Sequence, residues 1–145
     1  MTALPLPEDV IPHRHPFLFL SEVIEVDPDR GARGYWSLGE QESFFAGHFP
    51  GRPTLPCVLM IEAMAQLGAY AVLSSPKATA KLPLFGGVDR VRFRRQVVPG
   101  DRLDLEVELG HMSARAGRGH GRASVDGEVA CEADLLFVFV DSSQG

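Results

Sequence analysis

Between residues 44 and 66 two side chains conflict with their surroundings. Glu62 lies inside the apolar run Val58-Leu59-Met60-Ile61-Glu62-Ala63-Met64-Ala65, and Gln66 follows one helical turn later on the same face. An unpaired carboxylate in such a place is costly unless its pKa rises and it stays protonated, so the group has either a partner or a job. His48 sits in Phe45-Ala46-Gly47-His48-Phe49-Pro50-Gly51, where a neutral imidazole is a competent base near neutral pH. Each has a bland reading: a glutamate bonded to a buried donor or across an oligomer interface, and a histidine bonded to a core carbonyl. Together beside one helix start they read differently. A base, an acid and free backbone N–H groups at a helix N-terminus are the parts needed to enolise a carbonyl compound.

The elements that must position these groups follow from the pattern. Pro56 suits the first turn of a helix, with Thr54 as a candidate cap, and the helix runs on to Leu73. It is apolar on nearly every face, which predicts burial all round. Residues 39–56 mix Gly47, Pro50, Gly51, Pro53 and Pro56 with Phe44, Phe45 and Phe49, a composition that excludes a helix or central strand and predicts a rigid, functional loop. Before it, residues 16–26 and 32–38 read as two strands joined by the turn Asp27-Pro28-Asp29-Arg30-Gly31. After the helix, residues 76–83 read as a loop and residues 84–98 as extended. Leu103, Leu105, Val107 and Leu109 alternate with acids, the pattern of a half-buried antiparallel strand. Residues 115–125 and 128–140 flank Asp126-Gly127, a strong hairpin signal. Residues 1–10 form a loose lead-in and 141–145 a tail to one domain covering 1–145.

One helix buried on all sides needs a curved antiparallel sheet around it, an α+β arrangement of the hot dog kind. Such a sheet has edges that invite a second copy, which predicts a homo-oligomer. The 145 residues are 45% hydrophobic and 23% charged, ordinary globular values that exclude a disordered or fibrous chain. With 14 Lys+Arg against 19 Asp+Glu the net charge is −5, which argues against nucleic acid as a partner. Cys57 and Cys131 are too few and too far apart for a disulfide framework or a zinc site, and the pair His13 and His15 lacks further ligands. No signal peptide opens the chain and the apolar stretch 57–73 is short for a bilayer, so a cytoplasmic protein without membrane insertion is expected.

The run from Gly47 to Gln66 resembles the signature G-H-F-P-G-x-P-x-M-P-G-V-L-x-x-E-A-x-A-Q of the 3-hydroxyacyl-[acyl-carrier-protein] dehydratases of FabZ type. Ile11-Pro12-His13-Arg14-His15-Pro16-Phe17-Leu18 is similar to that family's opening L-P-H-R-Y-P-F-L, and Phe93 to Asp101 to its F-R-R-P-V-V-P-G-D segment. The resemblance covers most of the chain. It implies the hot dog fold, a dimer commonly assembled as a trimer of dimers, and no metal or organic cofactor. It also implies dehydration of a (3R)-3-hydroxyacyl thioester to the trans-2-enoyl thioester in fatty acid or polyketide-like synthesis. The catalytic pair carried over by position is His48 and Glu62, supplied by different subunits.

On this reading His48 removes the α-proton, the N–H groups at Cys57 or Val58 receive the thioester oxygen, and a protonated Glu62 assists the departing hydroxyl. One residue or both could handle the protons. Gln66 is placed to orient Glu62 or a water. Phe49, with Phe44, Phe45, Met60 and Met64, suits an acyl chain, although core packing accounts for the same residues. Arg90, Arg92, Arg94 and Arg95 form a basic patch, the first three on one face by strand alternation. It is either a solvated strand face or the docking surface for an acidic carrier protein and its phosphopantetheine, as the family uses this segment.

The sequence departs from the family pattern where Cys57 replaces a glycine, His15 a tyrosine, Gln96 a proline, and Ser21-Glu22 stand where L-V-D-R has its aspartate. Two rival readings remain. A hot dog acyl-thioesterase would need only a carboxylate such as Glu62 to activate water, and a non-catalytic carrier-protein-binding subunit would need neither group intact.

Overall fold

The computed structural model describes residues 4–40, 42–76 and 81–141. A short helix α1 (Pro7–Val10) leads into strands β1 (Glu22–Asp27) and β2 (Gly31–Ser37), a 3-10 turn at Ser43–Ala46, the long helix α2 (Cys57–Leu73), and strands β3 (Lys81–Phe93), β4 (Arg102–Met112), β5 (Ala116–Val125) and β6 (Glu128–Asp141). The strands form one antiparallel sheet in the order β1-β2-β4-β5-β6-β3. The sheet curves around α2, which is the hot dog arrangement.

Alternation decides which face meets the helix. Ala32 and Trp36 on β2, Leu103, Leu105 and Val107 on β4, and Ala133, Leu135 and Phe137 on β6 are all buried. On β5 the inward positions include Gly117, Gly119 and Gly121, between the exposed Arg118, His120 and Arg122. Gly121 lets α2 sit close, since a Cβ there would stand 2.7 Å from Sδ of Met64, whereas one on Gly117 would meet Met112 of β4. The helix answers in kind at Gly68, where a Cβ would meet the Phe137 ring at 2.5 Å. The Asp126-Gly127 turn has φ of +50° and +82°, both left-handed, as a two-residue hairpin turn requires.

The expected elements shift in detail. The strand expected from residue 16 starts only at Glu22: the Phe17 N–H closes a turn onto the Arg14 carbonyl at 2.8 Å, and the Phe19 N–H is taken by a side chain of α2 rather than by a ladder. Residues 7–10 of the expected loose lead-in form α1, held where the Tyr70 hydroxyl donates to the Pro5 carbonyl at 2.7 Å. The β3 strand begins at Lys81, inside the expected loop; residues 77–80 of that loop and residues 142–145 of the expected tail lie outside the described residues. Asp141 ends β6. Burial of α2 is complete from Met60 to Val72 except at Glu62, whereas its first turn, with Cys57 and Val58, is exposed.

Candidate active site

The segment before α2 folds back on itself and fixes His48. The Thr54 N–H donates to the His48 carbonyl at 2.8 Å, and Phe49 and Arg52 exchange backbone bonds of 3.1 and 2.9 Å. This tight turn needs Gly51 at φ +74°, a conformation that glycine adopts without steric cost. Nδ1 of His48 lies 2.8 Å from the Thr54 carbonyl oxygen. A carbonyl only accepts, so Nδ1 carries a proton, and in the neutral imidazole the lone pair is therefore on Nε2. The ring is backed by Phe49, stacked with centroids 4.0 Å apart, and Phe49 itself is half-exposed.

Thr54 is no helix cap. Its hydroxyl donates to the Arg52 carbonyl at 3.3 Å and accepts from the Gln96 amide at 2.6 Å, while Pro56 occupies the cap position without a side-chain bond. The N–H groups of Cys57 and Val58 therefore have no acceptor among the described residues, as geometry demands of a helix's first turn. Cys57 is exposed there; the buried Cys131 thiol is pushed up to about 12, chiefly by burial and further by the neighbouring Cys57.

Glu62 is half-buried, and burial raises its carboxyl above the usual carboxylate range, with only partial relief from the Gln66 amide. Gln66 is 1% exposed and fully bonded: its Oε1 accepts from the Phe19 N–H at 2.7 Å, and its Nε2 donates to the Phe17 carbonyl at 3.1 Å and to Oε2 of Glu62 at 3.0 Å. A residue that the spacing left without a role also arrives here. Nε2 of His13 stands 3.7 Å from the same Oε2. Its only sequence signal was its place in the Pro12-His13-Arg14 opening.

Within one chain no hydrogen bond or ion pair among the described residues joins His48 to Glu62. A groove of about 930 Å³ takes in Phe45, Phe49, Arg52, Pro53, Gln96 and Val98 in its lining but neither His48 nor Glu62. Phe45, Met60 and Met64, candidates for the acyl lining, are core residues here, and Phe44 packs partly buried against that core.

The arginine segment is largely neutralised on the chain itself. Arg90 lies 3.8 Å from Asp134, Arg94 3.2 Å from Glu132, and Arg95 3.1 Å from Glu128. A register shift between Asp89 and Arg92 interrupts the simple alternation, with Arg90 at φ +52°. Of the four, Arg92 alone makes no ion pair among the described residues. The largest exposed apolar side chains nearby, Leu84, Phe85, Val88 and Phe93, lie on β3, which is an edge of the sheet.

A family model described as a FabA-like domain matches residues 11–134. The chain is 52% identical over 130 residues to the 3-hydroxyacyl-[acyl-carrier-protein] dehydratase FabZ of Moorella thermoacetica, covering 90% of this chain and 91% of the relative. The protein of the same name from Bacillus subtilis is 47% identical over 130 residues, covering 90% of this chain and 92% of its own. Among solved structures, the dehydratase heterocomplex ApeI:P from Xenorhabdus doucetiae superposes with a TM-score of 0.82 at 21% identity, covering 97% of this chain and 94% of that one, which speaks to the fold alone.

Proposed function

This chain belongs to the FabA-like family, and we infer from that premise that it is a hydro-lyase acting on 3-hydroxyacyl-[acyl-carrier-protein] in fatty acid synthesis, like its FabZ relatives. The observation that carries the reading at the level of residues is the tautomer of His48, whose Nε2 lone pair is held free by the bond at Nδ1.

In the proposed reaction His48 Nε2 takes the proton from C2 of a (3R)-3-hydroxyacyl thioester. The electron pair left at C2 is delocalised onto the thioester oxygen, which the N–H groups of Cys57 and Val58 receive at the positive end of α2. Collapse of that charge forms the C2–C3 double bond and expels the 3-hydroxyl, which takes the proton of Glu62 and leaves as water. The imidazolium of His48 and the carboxylate of Glu62 then exchange a proton through solvent, which resets the site. A raised Glu62 pKa suits an acid and disfavours the thioesterase reading, which needs an ionised carboxylate.

The acid in this scheme is Glu62 of the partner subunit. Supporting this, His48 and Glu62 have separate partners within one chain, and β3 offers a 13-residue edge with exposed apolar side chains for a second copy to extend the sheet. An acyl carrier protein would dock near the arginine segment, with Arg92 as the cation of the four that has no ion pair among the described residues, and Arg90, Arg94 and Arg95 contributing once their carboxylate partners yield. The enzyme is proposed to work in the cytoplasm as a dimer or a trimer of dimers. No helix among the described residues is long and apolar enough to cross a membrane.

The test is turnover of 3-hydroxyacyl carrier-protein substrates of graded chain length. Reversible growth of enoyl absorbance is expected, and its loss in both His48→Ala and Glu62→Gln. Release of free thiol without enoyl product would overturn the assignment.

A further inference from the structure

The hydrogen-bond chain behind Glu62 decides which of its oxygens can act. Oε1 of Gln66 must accept from the Phe19 N–H, so the amide orientation is settled by the backbone and Nε2 must face Glu62 as a donor. The Glu62 oxygen that receives it, Oε2, is thereby an acceptor, and in a neutral carboxyl the proton sits on the other oxygen. His13 approaches that same Oε2 through Nε2, and its Nδ1 is buried with no partner among the described residues. Were the His13 proton on Nδ1, a buried N–H would stand unpaired; with the proton on Nε2, a second donor points at Oε2 and only a lone pair is left over.

We propose that His13 is a positioning residue that, with Gln66, pins Oε2 of Glu62 as an acceptor and leaves Oε1 as the oxygen that delivers the acid proton. The inference deepens the dehydratase reading and rests on it. Burial and the adjacent Arg14 both hold the His13 imidazole below its ordinary pKa, so it meets Glu62 as a neutral donor rather than as a cation that would draw the carboxyl into ionisation. The groups facing the pair support this. Arg14 spends a guanidinium nitrogen on the Ile11 and His13 carbonyls at 3.0 and 2.7 Å, Gln66 is uncharged, and the Tyr70 hydroxyl further along α2 is taken by Pro5. The 3.7 Å separation is long for a hydrogen bond, and such bonds in free enzymes commonly tighten when substrate arrives.

Two variants of similar size separate positioning from packing. His13→Gln keeps an N–H donor, whereas His13→Met fills the space without one. The pH profile of kcat for dehydration is measured for both and for the unaltered enzyme. In the methionine variant kcat should fall by up to about tenfold with KM within about twofold, the loss of one neutral hydrogen bond being of that order. Its alkaline limb should also move to higher pH, because a donor that favoured the carboxylate has gone. The glutamine variant should recover most of kcat and the original limb. Unchanged kcat and limb in His13→Met would overturn the proposal, as would equal impairment of both variants. An inactive unaltered enzyme would overturn the dehydratase reading instead.

Discussion

Replacing Gln66 by leucine removes three hydrogen bonds from one buried point, and the cost can be worked from the partners left behind. The Phe19 N–H is in the core, since Phe19 is 2% exposed, and an orphaned buried donor costs about 1–3 kcal/mol. The Phe17 carbonyl belongs to a residue 49% exposed, so water can replace the amide there and the added cost stays below about 1 kcal/mol. Burial of the leucine methyls returns about 1 kcal/mol. The lost bond to Oε2 of the half-buried Glu62 adds about 1 kcal/mol. The net loss is then about 1–4 kcal/mol, which for a chain of 145 residues lowers the melting temperature by about 3–12 °C. Calorimetry at fixed protomer concentration measures this without interference from assembly. The same variant removes the Gln66 donor from Oε2 of Glu62, so turnover should fall even well below the melting point. A Gln66→Leu protein that melts within about 1 °C of the original would refute the assignment of Gln66 as the clamp between α2 and residues 17–19.

Two further outcomes are expected. Mixing inactive His48→Ala and Glu62→Gln protomers should restore up to about a quarter of the original activity per site pool, because random pairing leaves some sites with both groups intact; verified mixed dimers without activity would place both groups in one subunit. His120 is raised above its ordinary pKa, first by its 2.8 Å bond to Asp134 and further by Glu132, with burial opposing. Its contribution to stability is therefore fully present below the ordinary histidine value and fades as pH rises through the raised one; melting curves across that window should converge with those of His120→Gln at alkaline pH, and parallel curves throughout would exclude the linkage.

How much was legible depended on whether the cause was local. The alternation from Leu103 to Leu109, the hairpin at Asp126-Gly127 and the helix ending at Leu73 all follow from period and turn chemistry, and all three appear where expected. The alternating glycines of β5 also have a period of two, but a missing side chain gives no hydrophobic signal, so the closeness of Gly121 to Met64 emerges only when α2 lies across it. The start of β3 at Lys81 was hidden for a different reason. It is set by pairing with β6 at Asp141, sixty residues away in sequence, and not by local composition.

The site divides along the same line. His48 and Glu62 stood out from sequence because each clashes chemically with apolar neighbours, and that conflict needs no coordinates to be seen. The tertiary structure alone decided which nitrogen of His48 is free, since the Thr54 carbonyl that holds Nδ1 is placed by the closure of a loop. It alone brought His13 to Glu62 and spent Arg90, Arg94 and Arg95 on carboxylates of β6, Asp134, Glu132 and Glu128. Residue type limits what a group can do. Which partner it does it with depends on distances that only the folded chain establishes.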